Sequence, residues 1–122
     1  MKKLTQAEEQ VMKVIWNLSE GGFLKDIIEL LPEPKPHSNT VATLLKILVE
    51  KDFVQISNPN RNNLYCAKFS KLDYSSQKMA GLTESFFEGS YSKVVSHLVD
   101  RKQMSIEDLE LLLHNLKSKG DE

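Results

Sequence analysis

Ser38, Asn39, Thr40, Thr43 and Lys46 crowd into one short stretch, Ser38-Asn39-Thr40-Val41-Ala42-Thr43-Leu44-Leu45-Lys46. At helical spacing Asn39, Thr43 and Lys46 are i, i+4 and i+7, so one face carries all three. An asparagine amide can pair bidentately with an adenine edge. A threonine offers a hydroxyl to a base or phosphate and a methyl to a thymine, and a lysine offers charge to a phosphate. Ser38, at the start of such a helix, offers its hydroxyl and backbone N–H to a phosphate. Further along, Arg61 sits among Asn58, Asn60, Asn62 and Asn63. An arginine at the tip of a turn can enter a minor groove or hold a phosphate. These are the groups that read double-stranded DNA. The competing explanation is structural: Ser38 and Asn39 cap a helix, Thr43 and Lys46 are solvated, and Arg61 decorates a turn.

The elements around these residues follow from pattern. Thr5-Gln6-Ala7-Glu8 fits a capping box and starts a first helix, whose apolar face is Val11, Met12, Ile15 and Trp16. Glu20-Gly21-Gly22 ends it. Phe23 to Leu31 reads as a second helix, with Ile27, Ile28, Leu30 and Leu31 inward. Pro32, Pro34 and Pro36 forbid its continuation. The third helix runs from a cap at His37 or Ser38 to about Lys51, with Val41, Leu44, Leu45 and Leu48 as its buried stripe. Phe53–Ser57 and Asn63–Phe69 read as two strands joined by the polar turn Asn58–Asn62. A lone hairpin is marginal in water and must pack on the helices. The order gives a mainly α fold: a winged helix-turn-helix with a two-stranded β wing over residues 1–70, followed by a C-terminal helical region over 71–122.

Composition bounds the partners. The chain has 122 residues and is 40% hydrophobic, which suits a globular protein of one domain or two very small ones. The net charge of -1 does not advertise nucleic acid. Residues 1–70 carry nine Lys/Arg against eight Asp/Glu, a net +1. Residues 71–122 carry seven against nine, a net -2. Positive charge for DNA must therefore be local: Lys46, Lys51 and Arg61, with Lys2 and Lys3. No apolar run approaches the roughly 18 residues that span a membrane. The start of the chain does not read as a signal peptide, so a cytoplasmic location is expected. The single cysteine, Cys66, has no partner for a disulfide or thiolate metal site. His37, His97 and His114 lack metal-ligand spacing, and there is no glycine-rich phosphate loop or nucleophile elbow. The expectation is a non-enzyme with no cofactor, no metal site and no evident small-molecule substrate.

The C-terminal region reads as three helices. One runs from Tyr74 to Phe87, broken by Glu88-Gly89-Ser90. The next covers Tyr91 to Val99. A last helix begins at Ser105, with Asp108 at the capping position. Roughly 50 residues in three short helices bury too little surface to be stable alone. A second copy would cover the exposed stripes, so a homodimer is expected. Its interface residues would be Phe86, Phe87, Val94, Val95, Leu98, Ile106, Leu109, Leu112, Leu113 and Leu116. Twofold symmetry suits two DNA half-sites.

Four motifs, in order, resemble one family. Leu4-Thr5-x-x-Glu8-x-x-Val11-Met12-x-x-Ile15-Trp16 resembles the opening of the penicillinase-repressor family of bacterial winged-helix regulators, which includes β-lactamase, methicillin-resistance and copper-transport repressors. Ser38 to Lys46 resembles its recognition helix, and Arg61 with Tyr65 its wing. Phe87-Glu88-Gly89-Ser90, Val94-Val95, Leu98 and Met104-Ser105-x-Glu107-Asp108-Leu109 resemble its dimerisation region. The match spans residue 4 to about 117. It implies a homodimeric repressor on an inverted-repeat operator, with half-sites of the TACA/TGTA kind in known members. Thr40, Thr43, Lys46 and Arg61 fall at matching positions, whereas Asn39 stands where the family varies. The resemblance also implies, for the antibiotic-responsive members, a membrane-bound sensor protease whose signal leads to cutting of the dimerisation region.

Two departures qualify this. The resistance repressors are cut at an Asn-Phe pair, and Ser96-His97 stands there in this chain. The copper-responsive branch ends in paired cysteines, and Leu116-Lys117-Ser118-Lys119-Gly120-Asp121-Glu122 has none, which excludes copper sensing by that route. The alternative from another class is a winged-helix protein–protein module without specific DNA binding, which the near-neutral N-terminal half suits.

Overall fold

The computed structural model describes residues 1–120. They form two compact units, Met1–Gln77 and a second beginning at Lys78. The first opens with α1, Gln6–Asn17, capped as its sequence requires. The Glu8 N–H donates to Thr5 Oγ1 at 3.2 Å, and the Thr5 N–H donates to Glu8 Oε2 at 3.3 Å. After α1 come β1 (Gly22–Phe23), α2 (Leu24–Leu30), α3 (Ser38–Glu50), β2 (Val54–Ser57) and β3 (Leu64–Ala67). The core gathers Val11, Met12 and Ile15 from α1, Ile27 from α2, and Val41, Leu45 and Leu48 from α3. Phe53 and Val54 close it from the start of the hairpin. The Trp16 indole N–H finds its partner in the Phe69 carbonyl at 2.8 Å, as a half-buried indole must.

The sheet has three strands rather than the two expected, in the order β1-β3-β2 and antiparallel throughout. The wing hairpin pairs Val54 with Ala67 and Ser57 with Leu64, and β1 adds Gly22 opposite Tyr65. Two residues are too few to show an alternating pattern, so Gly21-Gly22 reads in sequence only as a helix stop. The glycines are needed for close approach as well. Gly21 has φ +84°, and a Cβ there would lie 2.8 Å from the Tyr65 carbonyl oxygen and 2.7 Å from Cys66 Sγ. Phe23 consequently belongs to β1, and α2 starts one residue later than its pattern suggests.

Lys35 resolves how α2 ends. Its ammonium donates to the carbonyls of Ile28 (3.3 Å), Glu29 (2.7 Å) and Leu31 (2.9 Å). The Glu29 and Leu31 carbonyls are acceptors that the proline-rich segment leaves without N–H partners, whereas the Ile28 carbonyl also takes the Leu31 N–H at 3.2 Å.

α4 (Lys71–Phe86) begins in the first unit, where Tyr74 is buried in the core. Its ring lies edge-on to Phe53 and beside Trp16, at centroid separations of 5.7 and 5.6 Å. The boundary between the units, after Gln77, falls within this helix. In the second unit α5 spans Tyr91–Asp100, capped by Ser90, and α6 spans Ile106–Gly120. The Asp108 N–H donates to Ser105 Oγ at 3.0 Å, completing the expected cap. Among the described residues of this unit, no apolar side chain is fully buried.

Candidate nucleic-acid interface

Three buried residues orient α3. Val41, Leu45 and Leu48 have no measurable exposure, and their side chains fix which way the helix is rolled. The opposite face carries Asn39, Thr43 and Lys46, with Thr40 at its edge and Ser38 on the open first turn, all exposed. All but one of these side chains are unengaged. The Ser38 and Thr40 hydroxyls, the Asn39 amide and the Lys46 ammonium make no hydrogen bond or ion pair within the described residues.

The capping explanation therefore fails for Ser38 and Asn39. His37 is the cap, its Nδ1 accepting the Asn39 N–H at 3.0 Å. Thr43 is the exception on the face, its hydroxyl donating to the Asn39 carbonyl at 2.9 Å. This back-bond to the preceding turn turns Oγ1 toward the helix.

Arg61 stands apart from this face, at the wing tip. Pro59–Asn62 forms a tight turn closed by the Asn62 N–H on the Pro59 carbonyl at 3.0 Å. Both central residues are left-handed, Asn60 at φ 53° and Arg61 at φ 66°. Asparagine tolerates that region, whereas arginine adopts it at a cost of about 1–2 kcal/mol. Asn58 Nδ2 donates to Asn63 Oδ1 at 3.1 Å and ties the two sides of the turn. The guanidinium has no partner among the described residues.

Lys51 does not belong with these cations. Its ammonium donates to the Glu8 carboxylate, at 3.0 Å to Oε2, and to the Lys3 carbonyl at 2.9 Å. Glu8 is 2% exposed. Burial opposes its ionisation, but Lys51 and the Thr5 N–H and hydroxyl outweigh burial and hold the carboxyl below its ordinary value. Lys51 thus serves the core and is unavailable to a phosphate. Lys68 is likewise paired with Asp52. Tyr74 donates to Glu9, and burial followed by this bond and the nearby carboxylates drives its phenol well above the usual range.

The interface set in the second unit divides by exposure. Phe87, Val94, Val95, Leu98 and Leu109 are half-buried, with the Phe87 ring edge-on to His97 at 5.4 Å. Phe86 is 73% exposed and Ile106 60%, and Leu112, Leu113 and Leu116 also face solvent. Further exposed apolar residues lie outside that set: Met79 and Leu82, which the helical spacing of α4 marks in the sequence, and Leu72 and Leu111, which it does not single out. Leu72, Met79 and Phe86 recur every seven residues along α4, with Leu82 between. That repeat was available in the sequence.

A model of the penicillinase repressor family matches residues 4–118. The chain belongs to that family. The penicillinase repressor of Bacillus licheniformis is 28% identical over 120 residues, covering 96% of this chain and 94% of that protein. The methicillin resistance regulatory protein MecI of Staphylococcus aureus strain N315 is 24% identical, covering 96% and 95%. Among solved structures, the monomeric form of Bacillus licheniformis BlaI in complex with the blaP half-operator matches at 27% identity. Its TM-score is 0.51, over 60% of this chain and 89% of that one. The fold is a winged helix, and no described helix is long and apolar enough to cross a membrane.

Proposed function

We propose that this chain is a DNA-binding transcriptional repressor that acts as a homodimer on an inverted-repeat operator. The observation that carries this is the outer face and open first turn of α3, where four polar side chains lie exposed and unpartnered on a helix locked by Val41, Leu45 and Leu48. Free hydrogen-bonding groups on a rigid element suit base edges in a major groove. The wing would hold the adjacent backbone or minor groove through Arg61. Membership of a repressor family, and a relative solved on its half-operator, support the same reading.

Dimerisation rests on the second unit's lack of a buried apolar core. A second copy covering Phe86, Ile106, Leu112, Leu113 and Leu116 supplies one. Two chains couple two half-sites, so loss of the dimer, by proteolysis or otherwise, releases the operator. The family's sensor protease is the partner this implies. Ser96-His97 lies inside α5, so cutting there requires that helix to unwind first.

The test uses an operator selected from a pool of random duplexes. Asn39→Ala and Thr43→Ala each weaken operator binding by about 1–3 kcal/mol and leave binding to random DNA unchanged. Thr43→Val keeps the methyl and loses less than Thr43→Ala. Equal losses on both DNAs would remove the base-reading role.

A further inference from the structure

Beside the wing stem runs an open groove of about 480 Å³, lined by Phe23, Lys25 and Asp26 on one side and Asn62, Asn63 and Tyr65 on the other. We infer that this groove seats the sugar–phosphate backbone of the duplex, with Lys25 as a phosphate contact. The inference rests on the DNA-binding reading above and adds a site to it.

Three observations select this occupant. Charge comes first. Of the basic side chains in the first unit, Lys35, Lys51 and Lys68 are engaged within the protein. Lys25 has no partner among the described residues. The one carboxylate in the groove, Asp26, accepts the Phe23 N–H at 3.3 Å. Continuity comes second, because Asn62 and Asn63 directly follow Arg61, so a strand of DNA held at the wing tip passes this stem. The lining comes third. The groove sets a 37%-exposed phenylalanine ring beside amides and an ammonium. A deoxyribose packs on the ring, while amide N–H groups and the ammonium take phosphate oxygens.

The sequence does not single out Lys25. It follows Gly21-Gly22-Phe23-Leu24 with no periodic or charge signature, and only the β1–β3 pairing brings it opposite the wing stem.

Binding of the full chain to the selected operator and to a random duplex, titrated with salt, tests this. Lys25→Gln weakens both complexes about equally, by roughly 3- to 10-fold, and lowers the slope of log K against log salt by about 1. Lys25→Arg restores the slope. Lys13→Gln removes an exposed cation of α1 outside the groove and leaves the slope unchanged. A Lys25→Gln slope equal to wild type, with wild type binding steeply, overturns the groove contact alone. Failure of wild type to bind either duplex overturns this site and the DNA-binding reading together.

Discussion

Lys46 and Lys51 show at single-residue scale what sequence can and cannot sort. Both are basic and both sit on or at the end of the same helix, and as letters they are equal candidates for a phosphate. Which of them is free depends on Glu8, forty-three positions from Lys51, and no local pattern carries that information. The Glu8–Lys51 pair also makes a prediction. Glu8 has a folded pKa below its unfolded one, so it contributes stability above the unfolded value, about 4.3. That stability is lost as pH falls through the depressed folded value. The wild-type midpoint of thermal unfolding should therefore fall below about pH 4.5 more steeply than that of Glu8→Gln. Lys51→Met leaves a buried carboxylate unpaired and should cost about 1–3 kcal/mol at neutral pH. Parallel pH profiles for wild type and Glu8→Gln would show that the pair does not shape acid stability.

Among the elements, those with strong periodicity or caps were legible. α1 with its Thr5–Glu8 box and α3 with its apolar stripe stand where the pattern put them. So do the hairpin and the Ser105 cap. β1 was not legible, because a two-residue strand exists only through its partner. The end of α4 that packs on Phe53 was not legible either, because Tyr74 looks in sequence like the start of a separate helix. The wing turn was identified by composition, but its left-handed Arg61 was not. Glycine would fit that position without a Cβ penalty, so Arg61→Gly should leave stability unchanged or raise it by up to about 1 kcal/mol. The same change should weaken operator binding by about 1–3 kcal/mol. Calorimetry and a binding titration on one preparation check both. A destabilised variant would mean that the arginine supports the turn, and an unaltered affinity would remove it from the interface.

The two units differ in what they bury. The first buries a dozen apolar side chains around Phe53 and presents free polar groups on one helix. The second buries none among its described residues and leaves large apolar side chains in water. The sequence already pointed to a partner copy from its shortage of core, and the exposed α4 repeat adds surface that a partner would cover. Leu112→Asp places a charge in the proposed interface and should shift sedimentation from dimer to monomer. Continued dimerisation at unchanged concentration would place the interface elsewhere.

Whether two copies of this chain read DNA is decided by salt titration of the protein on a selected inverted repeat and on random duplex. The expected affinities fall steeply with salt on both, and the selected site is preferred by about a thousandfold or more. Binding that is absent, indifferent to salt or equal on the two duplexes would contradict DNA reading and favour a winged-helix module that docks on protein.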